Sequence, residues 1–127
     1  MNQLLWELPV PSSSQTKGPT LNVLVGRECE IAYYIETDDG DRKEALIFEG
    51  VEAFKTTYMT ARSVDMIEMA YDRLVRIEAS PWLAETTKNS DPYYQSREGE
   101  ARKLQHLMIC FDDGPCYEFI CAGFKVA

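Results

Sequence analysis

Two Asp-Gly dipeptides, each set between alternating strand-like runs, do most to limit how this 127-residue chain folds. They lie in Thr37-Asp38-Asp39-Gly40-Asp41 and in Phe111-Asp112-Asp113-Gly114-Pro115. Asp-Gly suits a primed two-residue turn, whose backbone needs positive φ, and such turns join antiparallel strands. Both halves of the chain are therefore expected to carry hairpins.

The first hairpin is the clearer. Cys29, Ile31, Tyr33 and Ile35 alternate with Glu28, Glu30, Ala32, Tyr34 and Glu36. A loop at Asp39-Gly40 predicts Glu36 opposite Lys43, Tyr33 opposite Leu46 and Ile31 opposite Phe48. That register gathers Ile31, Tyr33, Ile35, Leu46 and Phe48 on one buried face. It also forces Glu30 opposite Glu49, an unfavourable pair of like charges.

Further strands are expected at residues 3–8, 21–25, 51–60, 103–111 and 116–126, with Gly50 marking a bend. Ser63 reads as a helix N-cap, and Val64, Ile67, Ala70, Tyr71, Leu74 and Val75 recur at helical spacing. One helix over residues 63–77 follows, ended by Ser80-Pro81. Residues 86–102 are polar and read as a long surface loop. The predicted fold is a single α+β domain: a curved antiparallel sheet of five or six strands with one long amphipathic helix packed on one face. A two-sheet β-sandwich with one helix is the alternative, because Ala32, Tyr34, Ala45 and Ile47 make the hairpin's second face apolar too.

Charge narrows the function. The chain has 13 basic and 21 acidic residues, a net charge of −8, which argues against nucleic acid as a partner. Nine carboxylates against three cations between Arg27 and Glu52 give −9 + 3 = −6 in one hairpin. Such a face keeps a protein soluble; where it serves recognition, it suits a basic protein partner. The candidate binding residues are Glu28, Glu30, Glu49, Asp38, Asp39 and Asp41, with Tyr93 and Tyr94 from the polar loop, since loop aromatics favour binding surfaces. Asp38, Asp39 and Asp41 lack the twelfth-position Glu of a calcium loop.

The cysteines are Cys29, Cys110, Cys116 and Cys121, and the one histidine is His106. An Asp113-Gly114 turn sets His106 opposite Cys121 and Cys110 opposite Tyr117. His106 and Cys121 would then touch, the minimum for a thiolate nucleophile or a metal pair. Their apolar neighbours favour a core role, and with no cysteine opposite another no disulfide is expected. Neither a basic leader nor a membrane-length apolar run is found, which points to a cytoplasmic chain with reduced thiols. No catalytic residue, metal or cofactor is expected.

Two stretches, LIFEGVEAFKTTYMTARSVDMIEMAYDRLVRIEASPWL (46–83) and HLMICFDDGPCYEFICAGFKV (106–126), show strands, an amphipathic helix and a closing hairpin around Asp-Gly. That pattern resembles small bacterial proteins, some of them immunity-type partners of secreted toxins. The resemblance implies a bacterial cytoplasmic protein that works by binding, and it assigns no functional residue. The expected function is a non-catalytic acidic protein-binding module, of the immunity- or inhibitor-like kind that the resemblance implies. The alternatives are a small-ligand binder with an apolar pocket in the curved sheet, or a metal or thiol enzyme.

Overall fold

The computed structural model describes residues 2–88, 103–112 and 114–127. Their strands are β1 (Gln3–Glu7), β2 (Thr16–Leu24), β3 (Glu28–Thr37), β4 (Gly40–Glu49), β5 (Ala53–Thr57), β6 (Arg73–Arg76), β7 (Gln105–Cys110), β8 (Cys116–Cys121) and β9 (Gly123–Val126). They form two antiparallel sheets, ordered β1-β6-β7-β8-β5 and β2-β3-β4-β9. Among the described residues, helical structure is limited to a 3-10 turn (Met59–Ala61), α1 (Val64–Ala70) and α2 (Pro81–Lys88).

The inner faces of the two sheets share one core. Cys29, Ile31, Tyr33, Ile35, Leu46 and Phe48 from one sheet meet Leu74, Leu107, Ile109, Tyr117, Phe119 and Cys121 from the other. Phe48 stacks on Phe119 at 3.9 Å between ring centroids. The outer face of β7 and β8 is covered as well: Met108, Cys110 and Cys116 pack with Ala70, Val75, Met66 and Met69. β8 is thus buried on both faces, which explains its nearly continuous apolar sequence.

A two-stranded ribbon joins the sheets. β4 runs on into β5 and β8 into β9, with Ala122 donating its N–H to Glu49 O at 2.9 Å where both strands change sheet. Gly50 makes this corner possible. Its φ is +62°, and an added Cβ would lie 2.9 Å from Ala122 Cβ. The expected bend at Gly50 is this crossing.

The expected long helix does not form. Ser63 does cap α1, its hydroxyl accepting from Met66 N–H at 3.2 Å, but α1 ends at Ala70 and Asp72 takes a φ of +55°. The chain then becomes β6, where successive residues face opposite ways: Leu74 enters the inter-sheet core and Val75 the outer cluster. Ser80-Pro81, expected to stop a helix, starts one instead, with Ser80 as cap and Pro81 in the first turn. The fold is therefore mostly β, not the expected α+β. In place of a single curved sheet with one long helix, the strands divide between two antiparallel sheets, as in the sandwich alternative, and two short helices replace the one expected.

Both hairpins form in registers other than those expected. In the first, Thr37 pairs with Gly40, so Asp38-Asp39 are the loop and Ile31 faces Leu46. Neither aspartate takes a positive φ, whereas Gly40 lies at +110°. The glycine supplies the bulge after an ordinary turn rather than the centre of a primed one. The pairing moves by two residues, so the buried face is unchanged: Ile31, Tyr33, Ile35, Leu46 and Phe48 are all buried.

In the second hairpin, Cys110 pairs with Cys116 and His106 with Ile120. Pro115 has no N–H to give to a tight ladder, and it instead accepts from Phe111 N–H at 3.4 Å. The connection widens to residues 111–115. This is a shift of one residue, which reverses the facing of side chains across the pair. His106 therefore lies on the outer face while Cys121 lies on the inner one.

Candidate functional site

The corrected first register redistributes the acidic residues. Glu30 stands opposite Ile47, not Glu49, and accepts from Asn22 Nδ2 at 2.9 Å. Glu49 pairs with Lys125 at 3.5 Å. The like-charged pair in the sheet is instead Glu36 and Asp41, and Lys17 on β2 answers both at 4.0 and 3.1 Å. The hydrogen bond and charge of Asp41, helped by Glu36, hold the Lys17 ammonium above its ordinary pKa. Arg42 pairs with Glu44 at 2.7 Å and Arg27 with Glu52 at 2.6 Å.

Five of the nine carboxylates are thus ion-paired, and Glu28, Glu30, Asp38 and Asp39 remain without a cation among the described residues. Glu28 and Glu30 are half-buried on the outer face of β3, beside β2; Asp38 and Asp39 are exposed at the hairpin tip. Of the sequence candidates, the structure sets Glu28 and Glu30 in one row and takes Asp41 and Glu49 into ion pairs. Tyr93 and Tyr94 lie outside the described residues.

An apolar surface lies on the core side of β2, across the strand from the Glu28–Glu30 row. β2 is the terminal strand of its sheet and β5 of the other. Between them a groove of about 610 Å³ is lined by Pro19, Leu21, Thr56, Tyr58, Met59 and Tyr117 among others. Tyr58 and Met59 are half or more exposed, and Val23 and Val25 stand out of β2 and its end at 67% and 94% exposure. A groove with exposed large apolar residues at its rim is the ordinary make-up of a contact surface. Exposed β2 residues such as Val23 had no sequence signal separating them from core positions.

A separate polar cluster centres on His106. Its Nδ1 lies 2.7 Å from Ser80 Oγ and its Nε2 2.8 Å from Glu118 Oε1. Ser80 Oγ accepts from Leu83 N–H at 3.0 Å, capping α2. A carboxylate only accepts, so Nε2–H donates to Glu118; in the neutral ring Nδ1 is then the acceptor, and the Ser80 hydroxyl donates to it. Lys55 Nζ reaches Glu118 Oε2 at 3.8 Å and lies 4.4 Å over the ring of Trp82, which meets His106 edge-on.

Serine, imidazole and carboxylate occur here in the order used by nucleophilic serine enzymes. However, Ser80, His106 and Glu118 are all buried, and the hydroxyl is committed to its helix cap. The cluster fastens α2 to β7 and β8. Sequence reasoning missed it because the expected register set Cys121, not Glu118, on the face of His106.

The thiols also depart from expectation. Cys110 and Cys116 are joined by a disulfide, with S–S 2.11 Å. Cys29 and Cys121 are free and buried, and burial pushes the Cys121 thiol up to about 12. No group of three or more His, Cys, Asp or Glu among the described residues is placed to hold a metal ion. No described helix is long and apolar enough to cross a membrane. The space between the sheets, where a ligand pocket was the alternative expectation, is filled by Tyr33, Phe48, Phe111 and Phe119.

Comparison of the chain with protein families, with curated proteins and with solved structures finds no match to any of them.

Proposed function

We propose that this protein is a non-catalytic binding module that takes a basic protein partner on the acidic outer face of β3 and its hairpin tip. The observation that carries this reading is the unequal neutralisation of the hairpin. Five carboxylates have their own cations, while Glu28, Glu30, Asp38 and Asp39 present charge that no described side chain offsets. A basic partner supplies the missing cations and is steered to the surface by the −8 net charge. An inhibitor- or immunity-type role is the form of this function that the sequence resemblance suggests.

The enzyme alternative draws no support from the site chemistry. The histidine is saturated by two buried partners, and the Cys121 thiol is held protonated by burial.

The test is capture of partners from a native lysate at low and high salt by wild type and by a variant carrying Glu28→Gln, Glu30→Gln, Asp38→Asn and Asp39→Asn. The reading expects a basic protein, captured at low salt, released by salt and lost with the variant. Equal capture by the variant would mean that the acidic face only confers solubility.

A further inference from the structure

The four terminal strands of the two sheets are not equally protected against pairing with another chain. β1 has five residues and ends on Glu7; β5 carries Lys55; β9 has four residues and carries Lys125. Short length and edge charges are the usual defences against further pairing. β2 is the longest of the four, with nine residues, and its defences sit in its first half, at Lys17 and Pro19. Thr20, Leu21, Asn22, Val23 and Leu24 form an uncharged, proline-free edge, and Val23 is two-thirds exposed.

We propose that the Thr20–Leu24 edge of β2 accepts an extended segment of the partner as an added strand, and that this segment alternates apolar and basic residues. The inference rests on the binding function proposed above and specifies its geometry. Alternation follows from the two sides of β2. Leu21 and Val23 pair with Ile31 and Cys29 on the core side, beside the groove that runs to Tyr58 and Met59. Every second residue of an added strand continues this side, and an apolar side chain fits it.

The intervening residues lie on the outer side, next to Asn22 and Leu24, which pair with Glu30 and Glu28. An added strand would be two strand spacings, about 10 Å, from β3. A Lys or Arg reaching over β2 covers that distance to a glutamate. A second copy of this chain fits poorly: pairing β2 with β2 would bring two rows of Glu28 and Glu30 to one face, each copy with a net charge of −8.

The test uses a fluorescent peptide of alternating Lys and Val, seven residues long, against three comparators. These are its alternate-residue N-methylated form, the matching Glu–Val peptide, and the protein variant Val23→Glu, with circular dichroism to check its fold. Anisotropy reads affinity, and amide NMR shifts read the site. The proposal expects the Lys–Val peptide to bind with shifts concentrated in residues 20–24 and at the groove rim. It expects at least tenfold weaker binding for each comparator.

Val23→Glu is the discriminating change. It adds attraction for a basic peptide, so a purely electrostatic contact would strengthen, whereas strand addition weakens. Equal or tighter binding to Val23→Glu, equal binding of the N-methylated peptide, or no binding of the Lys–Val peptide overturns the edge assignment. If salt-sensitive partner capture still depends on Glu28 and Glu30 in that event, the proposed function stands and only this inference fails.

Discussion

Ser80 and His106 are joined side chain to side chain: the serine Oγ lies 2.7 Å from the imidazole Nδ1, between a helix cap and a buried carboxylate. One hydroxyl therefore serves α2 and the sheet together. Ser80→Ala removes both bonds and leaves Leu83 N–H and Nδ1 without their partner. The expected loss is about 2–3 kcal/mol in urea unfolding. Ser80→Thr keeps the hydroxyl and should cost less than half as much; equal losses would show that the bonding does not matter.

Gly50 and Gly26 test the corner between the sheets. Both have positive φ, +62° and +74°, but only at Gly50 would a Cβ meet another atom, Ala122 Cβ at 2.9 Å. Gly26→Ala should cost about 1 kcal/mol for conformation alone. Gly50→Ala should cost distinctly more, and Ala122→Gly in the same chain should restore only the steric part. Thermal or urea unfolding of the three variants measures this.

The cysteines give a count. Unfolded protein without reductant should react with two equivalents of a thiol reagent, from Cys29 and Cys121, and with four after reduction. The native protein should react with neither buried thiol on the same timescale. Replacing Cys110 and Cys116 together by Ala should cost about 2 kcal/mol, the closure of a short loop.

Alkaline pH should weaken the fold. Burial raises Cys121 from 9.0 to about 12, and burial, then Glu44, raises Tyr33 from 10.0 to about 12. Between those limits the folded chain holds protons that the unfolded chain has lost, so stability falls as pH rises. Below pH 9 these two groups contribute a constant, full stabilisation. Urea midpoints should therefore be flat in their contribution up to about pH 9 and decline toward pH 12. Cys121→Ala should lower neutral stability but flatten that decline; an unchanged slope would contradict the assignment.

The sequence showed strands and faces better than their pairing. The two-residue slip in the first hairpin left Ile31, Tyr33 and Leu46 on the expected side. The one-residue slip in the second exchanged Cys121 for Glu118 beside His106 and hid the disulfide. Turn chemistry decided both: Gly40 follows its turn, and Pro115 opens the other. The break at Asp72 was equally hidden, because Leu74 and Val75 continue the helical spacing while occupying opposite faces of β6. The acidic density of the first hairpin was plain from sequence. Which carboxylates lack cations depends on Lys17 and Lys125, which the register alone places.

The central claim, that a basic partner binds along β2 and the acidic face of β3, is most directly tested by hydrogen–deuterium exchange of the protein with and without the partner captured at low salt. The account predicts new protection in residues 20–30 and at the tip around Asp38 and Asp39, with α2 and β1 unchanged. Protection at α2 or β1 with residues 20–30 unaffected would contradict it.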